Sequence, residues 1–331
     1  MDADQEAVAR RLLDEDVISE KEFAEVKAYR SLAIFSLHNE LQFLLYLSVL
    51  LFTTGAGILI YQNIDTIGHA VILALLLAVC GVCYYLSFKN SLGFSPEAID
   101  FEHPVYNYLV LAATILSCIF IGYLQFQYRP FGAEISIPTF LSAAVALATA
   151  YCFDNRSALS IGLTGLAAAI GITVTPKALL ENDFFDNPAL FYYGIALGFV
   201  LIVWAEYSER TNLKKHFSLI FLVFAQHLIC ICSITGIFGD YWWLYAIFLA
   251  AATVYFYQKS HLLWSTAMFV FVLIYGYIGL NILLFKVFDL IAAYQFYEAL
   301  TLLAPLYFIG SIFLFIRAIK QFNKKTDDSV R

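Results

Sequence analysis

Ten runs of 17 to 24 residues in this chain are almost free of charge, and they leave it few ways to fold. They lie at 41–62, 67–88, 105–125, 137–153, 157–175, 189–207, 216–238, 241–258, 262–285 and 298–318. Lys, Arg, Asp and Glu enter them only near their ends, at Glu206, Glu298 and Arg317. About 20 apolar residues, rising 1.5 Å each, cross a hydrocarbon core. Inside lipid, only helices and closed barrels satisfy their own backbone. The runs are continuous rather than alternating, which speaks against a barrel. The expected fold is therefore all-α. It is a polytopic bundle of about ten transmembrane helices over 41–318, with a short cytosolic helical hairpin at 1–40 and a basic tail at 319–331.

The distribution of positive charge tests that weave. Segments on the amino-terminal side hold sixteen of the 19 Lys and Arg residues, and the opposite side holds three. The positive-inside rule then puts both termini in the cytoplasm, with the bundle in a bacterial inner membrane. Trp204 and Trp264 fall at cytoplasmic helix ends, and Trp242 and Trp243 at an outer one, where an aromatic belt is expected. Met1-Asp2-Ala3-Asp4-Gln5-Glu6 is acidic, so no cleavable signal peptide is expected. The net charge of −7 argues against nucleic acid and leaves the lipid bilayer as the first partner. The outer acids Glu181, Asp183, Asp186, Asp289 and Glu298 read first as solvated loop surface, and second as a cation-capturing rim.

Residues 1–40 form the one sizeable soluble unit. Ser19-Glu20-Lys21-Glu22 is a capping box, and Phe23, Val26 and Tyr29 follow at helical spacing. Two short helices bury little surface alone, so this hairpin needs a partner: a second copy of the chain, the cytoplasmic loops or another protein. Leu12 to Phe23 is similar to a helical hairpin that opens many uncharacterised prokaryotic membrane proteins, and to the short C-terminal domain. Gly55-Ala56-Gly57-Ile58-Leu59-Ile60-Tyr61-Gln62-Asn63-Ile64-Asp65 resembles the first-span signature of domain-of-unknown-function family 2157. That signature ends in Asn-Trp-Asp; here Asn63 and Asp65 match and Ile64 replaces the tryptophan. The resemblance runs from residue 10 to about residue 90. It implies a membrane location and a topology, and no reaction.

Polar residues within or beside the spans are the site candidates. Asn63 and Asp65 stand in the outer turn before span two, as caps for its free N–H groups or as a ligand contact. His69 follows Asp65 at i+4. Gln226 and His227 fall at the middle of span seven, where polar groups are costly and face other helices or a watery cavity. Thr164 in span five lies at matching depth, and Asn281 in span nine lies further out, so both are candidate partners. Two readings stand for this midplane set: hydrogen bonds between helices, or handling of a proton or substrate.

Small residues load spans four and five, with Ala143, Ala146 and Ala150 on one and Ala158, Gly162, Gly165 and Ala169 on the other. Such stripes let backbones approach closely. Asp154-Asn155-Arg156 must then make a very tight turn between them. Cys80-Gly81-Val82-Cys83 has redox spacing, yet no nearby base or cation would stabilise a thiolate. His38, His103, His216 and His261 share one depth on four separate helix ends, which suits interfacial residues better than a metal centre.

No phosphate loop, catalytic triad or paired carboxylates can be assembled, so no catalytic residue, metal ligand or cofactor is assigned and the chain does not read as an enzyme. Two functions lead. One is a carrier or flippase-like transporter of a small molecule, ion or lipid, on the strength of Gln226, His227 and the small-residue spans. The alternative is a non-catalytic scaffold or sensor acting through the amino-terminal hairpin.

Overall fold

The computed structural model describes residues 19, 21, 23, 38–62, 68–99, 101–174, 188–290 and 296–330. Helices form where the charge-free runs predict them: α1 His38–Gln62, α2 His69–Lys89, α3 Pro104–Tyr128, α4 Ser136–Phe153 and α5 Arg156–Val174. They continue with α6 Pro188–Thr211, α7 Ser218–Gly236, α8 Trp242–Leu262, α9 Thr266–Leu290 and α10 Phe296–Val330. A 3₁₀ turn at Lys215–Phe217 leads into α7. The described residues contain no strand.

Nine of these helices are long and apolar enough to cross a membrane, counted among the described residues. The tenth, α8, has the length at 21 residues but opens on Trp242 and Trp243 and closes on Gln258, Lys259, Ser260 and His261. Interfacial aromatics and a polar last turn dilute its apolar character without shortening it. The chain is a multi-pass, all-helical membrane protein.

Two compact units divide at residues 59 and 60. In the first, Phe23 N–H donates to the Ser19 carbonyl at 2.9 Å, a helical turn starting at the capping box. Apart from residues 19, 21 and 23, the 1–37 part of the expected hairpin lies outside the described residues. Along α1 the hydroxyls fold back onto their own helix, Ser48 on Leu44 O and Thr53 on Val49 O. In lipid this satisfies a hydroxyl that has no water to bond.

The second unit holds α2 to α10. Its main core joins α4 to α9 through residues such as Leu159, Leu201, Leu222, Phe256 and Met268. A smaller cluster of Ile72, Leu76, Cys80 and Leu116 joins α2 to α3. Half of α7 is buried, the largest share among the apolar helices.

Glycines set the closest approaches. A Cβ on Gly162 of α5 would lie 2.7 Å from Leu147 Cγ and 3.0 Å from the Leu147 backbone nitrogen on α4. One on Gly198 of α6 would collide with Ile229 and come 3.3 Å from the Ala225 carbonyl oxygen on α7. The α4–α5 stripe is thus a tightly packed hairpin. Gly194 and Gly198, four apart, perform the same service for α6 against α7.

Candidate functional site at the basic end of the bundle

Short turns force the helices of the second unit to alternate in direction. The 90–103 loop and the turns at 154–155, 212–217 and 263–265 therefore gather at one end. Lys89, Arg156, Arg210, Lys214, Lys215 and Lys259 stand there, while Arg129 and Lys286 stand at the other. We call the first the basic end.

The tight turn between α4 and α5 is its organising point. Asp154 ends α4 in the left-handed conformation at φ 57°. Asn155 then caps α5: its Oδ1 accepts from Ala158 N–H at 2.9 Å. Its amide nitrogen donates to Asn107 O on α3 at 3.0 Å. One residue thereby closes a helix end and ties it to a neighbour.

Three segments converge on the Asp154 carboxylate. Ile99 N–H, from the 90–103 loop, donates to Oδ2 at 2.7 Å. Lys214 Nζ lies 3.1 Å from the same oxygen. His216 Nε2 meets Oδ1. Lys214 is left-handed at φ 51°, its N–H donates to Pro96 O at 2.6 Å, and its ammonium sits 5.5 Å from the centre of the Phe94 ring. The carboxylate, the ammonium and the backbone donor together satisfy charges that would be costly to bury alone.

A cleft of about 700 Å³ opens beside this node. Glu97, Glu209, Asn212, Lys215, His216 and Ser218 supply its polar wall. Leu219 and Leu263 supply an apolar one. Glu209 links the cleft to a second ionic group. Lys259 of α8 pairs with Glu206 and reaches Glu209 Oε2 at 3.5 Å, and Tyr255 OH donates to Glu206 at 3.1 Å. Glu209 Oε1 is buried and has no hydrogen-bond partner among the described residues.

The midplane residues follow a different pattern. Gln226 is fully buried, and its amide nitrogen donates to Met268 O of α9 at 3.1 Å. His227 Nδ1 and Tyr275 OH are 2.7 Å apart, and the imidazole stands edge-on to Phe271. Thr164 is exposed and donates to Ser160 O of its own helix. Asn281 donates to Tyr277 O of its own helix at 2.7 Å. Gln226 and His227 each join α7 to α9, and neither is bonded to Thr164 or Asn281. Neither His227 nor Gln226 lines the cleft. Asn63 and Asp65 lie outside the described residues; His69 Nδ1 and Tyr123 OH are 2.7 Å apart.

All six cysteines are free thiols, with Cys80 and Cys83 buried. Cys80 Sγ lies 3.2 Å from Ser117 Oγ on α3. Among the described residues no three His, Cys, Asp or Glu side chains are placed to hold a metal. Of the interfacial histidines, His216 joins the Asp154 node, while His261 packs its ring against Phe269 and Phe322.

Reasoning from sequence missed the Asp154 node. Asp154 was legible only as part of a turn, and Lys214 only as one more positive charge. The available signal was the coincidence of a charged turn at 154–156 with a Lys-Lys-His run at 214–216 on the same side of the weave.

The chain is similar to a family described as "Predicted membrane protein (DUF2157)", whose model matches residues 10–159. That stretch reaches well past the first two spans and takes in the Asp154-Asn155 turn. No curated protein and no solved structure matches the chain.

Proposed function

We propose that the protein is a non-catalytic sensor or scaffold of the bacterial inner membrane, with both termini in the cytoplasm. The bundle is a rigid platform whose receiving face is the basic end. The positive-inside rule supports this orientation, since sixteen of the 19 Lys and Arg residues belong to that side of the weave. The charge count assigns the amino-terminal hairpin to the cytoplasm, where it supplies the output by engaging a protein partner or a second copy of the chain.

One contrast carries the reading. The midplane polar groups Gln226 and His227 are engaged in bonds between α7 and α9, whereas the open polar cleft lies at the basic end. Groups already holding two helices together are poorly placed to hand a solute across.

The carrier reading retains one observation of its own. Gln226 Oε1 is buried without a hydrogen-bond partner among the described residues. A transported donor passing the midplane would supply one.

Deleting residues 1–35 tests the reading. The shortened chain should still insert and keep its unfolding midpoint, while losing the proteins and self-association that co-purify with the full chain from native membranes. Unchanged co-purification would remove the sensor or scaffold role of the hairpin.

A further inference from the structure

We propose that the cleft at the basic end is a binding site for an amino-phosphate headgroup, a phosphate carrying a primary ammonium a few bonds away. The assignment rests on the reading of the basic end as the receiving face, and it adds the chemical class of the ligand.

The wall of the cleft is neither basic nor acidic. Lys215 and Ser218 offer donors, and Glu97 and Glu209 offer carboxylates. A simple anion would meet two carboxylates, and a simple cation would meet a lysine. A ligand carrying both signs matches both halves. Lys215 is exposed and unburdened by the Asp154 pair, which takes Lys214 and His216 instead. Ser218 opens α7 directly after the 3₁₀ turn, with its N–H bonded to Lys215 O, so the donor it offers at the wall is its hydroxyl.

The ammonium half is drawn by Glu209. Its side chain lines the cleft and keeps 19% of its surface exposed, while its Oε2 lies 3.5 Å from Lys259 Nζ. An ammonium with three N–H groups can bond more than one carboxylate at once. Glu97, exposed on the 90–103 loop, offers a second acceptor across the cleft.

Depth explains why a lipid fits. The cleft lies where the apolar stretch Ala189–Thr211 ends and Lys215–Gly236 begins, the level of phospholipid headgroups. Leu219 is 40% exposed and Leu263 lines the same opening, so an acyl chain has an apolar path out of the cleft. A volume of about 700 Å³ accommodates a headgroup with the first carbons of its chains.

The test measures binding of the purified full chain to phosphatidylethanolamine, to phosphatidylglycerol and to free phosphoethanolamine, by native mass spectrometry and by shift of the unfolding midpoint. Phosphatidylethanolamine should bind about tenfold tighter than phosphatidylglycerol, the worth of one charge-assisted hydrogen bond. Glu209→Gln should bring that ratio to near one. Glu97→Gln, at an exposed position that does not endanger folding, should lower it by a smaller factor. Lys215→Ala should weaken both lipids alike. Binding of phosphoethanolamine at similar strength would make the soluble headgroup the ligand, and its failure beside lipid binding would make the membrane the source. Equal affinity of the wild-type chain for the two lipids overturns the proposal, as does a preference that survives both Glu substitutions. Either result leaves the hairpin-deletion experiment untouched, so the two readings fail separately.

Discussion

Lys214 Nζ stands 3.1 Å from Asp154 Oδ2, and the two side chains are only 1% and 5% exposed. They lie 60 residues apart in the chain and join the α4–α5 turn to the α6–α7 turn. Ile99 N–H brings the 90–103 loop to the same carboxylate. Three connections that could move independently are thereby pinned around one charge, and the cleft takes its shape from them.

Lys214→Met should be strongly destabilising. It leaves Asp154 buried without its ammonium, and breaking such a pair typically costs about 3–5 kcal/mol. Adding Asp154→Asn to Lys214→Met should recover part of that loss, because the buried charge is then gone. Unfolding midpoints of the three proteins in one detergent would measure this. A single variant as stable as the wild type would mean that the pair contributes nothing.

Asn155 performs two tasks that substitution can separate. Asn155→Ala should lose the cap on α5 and the tie to Asn107, at a cost of about 1–2 kcal/mol. Asn155→Ser keeps an uncharged oxygen that can accept from the Ala158 N–H and loses the amide that reaches Asn107, so its cost should be smaller. Equal losses would show that the cap contributes little.

Gly162→Val and Gly198→Val should force α4 from α5 and α6 from α7. The first meets the Leu147 backbone, and the second meets Ile229 with the Ala225 carbonyl behind it. Overpacking of this kind costs about 1–3 kcal/mol. Gly122→Ala on α3 is the control, since a Cβ there meets nothing within 4 Å. It should be neutral or stabilise slightly, because alanine restricts the unfolded chain. Thermal unfolding that ranks all three alike would contradict the packing account.

Orientation has its own test. A fluorescent protein fused after Val330 should fold and fluoresce in the cytoplasm. Alkaline phosphatase inserted at Gly132, in the loop between α3 and α4, should be active outside it. The reverse pair of results would invert the bundle and move the cleft to the outer face.

The helices were legible because the bilayer imposes a simple rule. A run without charge, about 20 residues long, has to be helical in lipid, and each of the ten runs holds a helix. Even α8 was visible, although its tryptophans and tyrosines lower its hydropathy. The stripe of Gly162 and Gly165 is readable from spacing alone, and Gly194 with Gly198 carries a small-residue signal of the same kind. The Asp154 node was not legible. Pairing of Asp154 with Lys214 and His216 depends on which turns are neighbours, and hydropathy gives the direction of helices without their arrangement. The converse holds at the midplane. Gln226 and His227 stand out in sequence because lipid makes polarity rare, yet the same scarcity is met by bonding Met268 O and Tyr275 OH on α9.

The central claim is that polar access belongs to the basic end and not to the middle of α7. Native Cys230, buried one turn from Gln226, reports on that middle directly. Membranes carrying the wild-type chain or Lys215→Cys would be treated with a charged, membrane-impermeant thiosulfonate from the cytoplasmic side, and modification read by mass spectrometry. The account predicts that the thiol introduced by Lys215→Cys is modified within minutes while Cys230 remains unmodified. Modification of Cys230 at a comparable rate would reveal an aqueous path to the midplane and contradict the account.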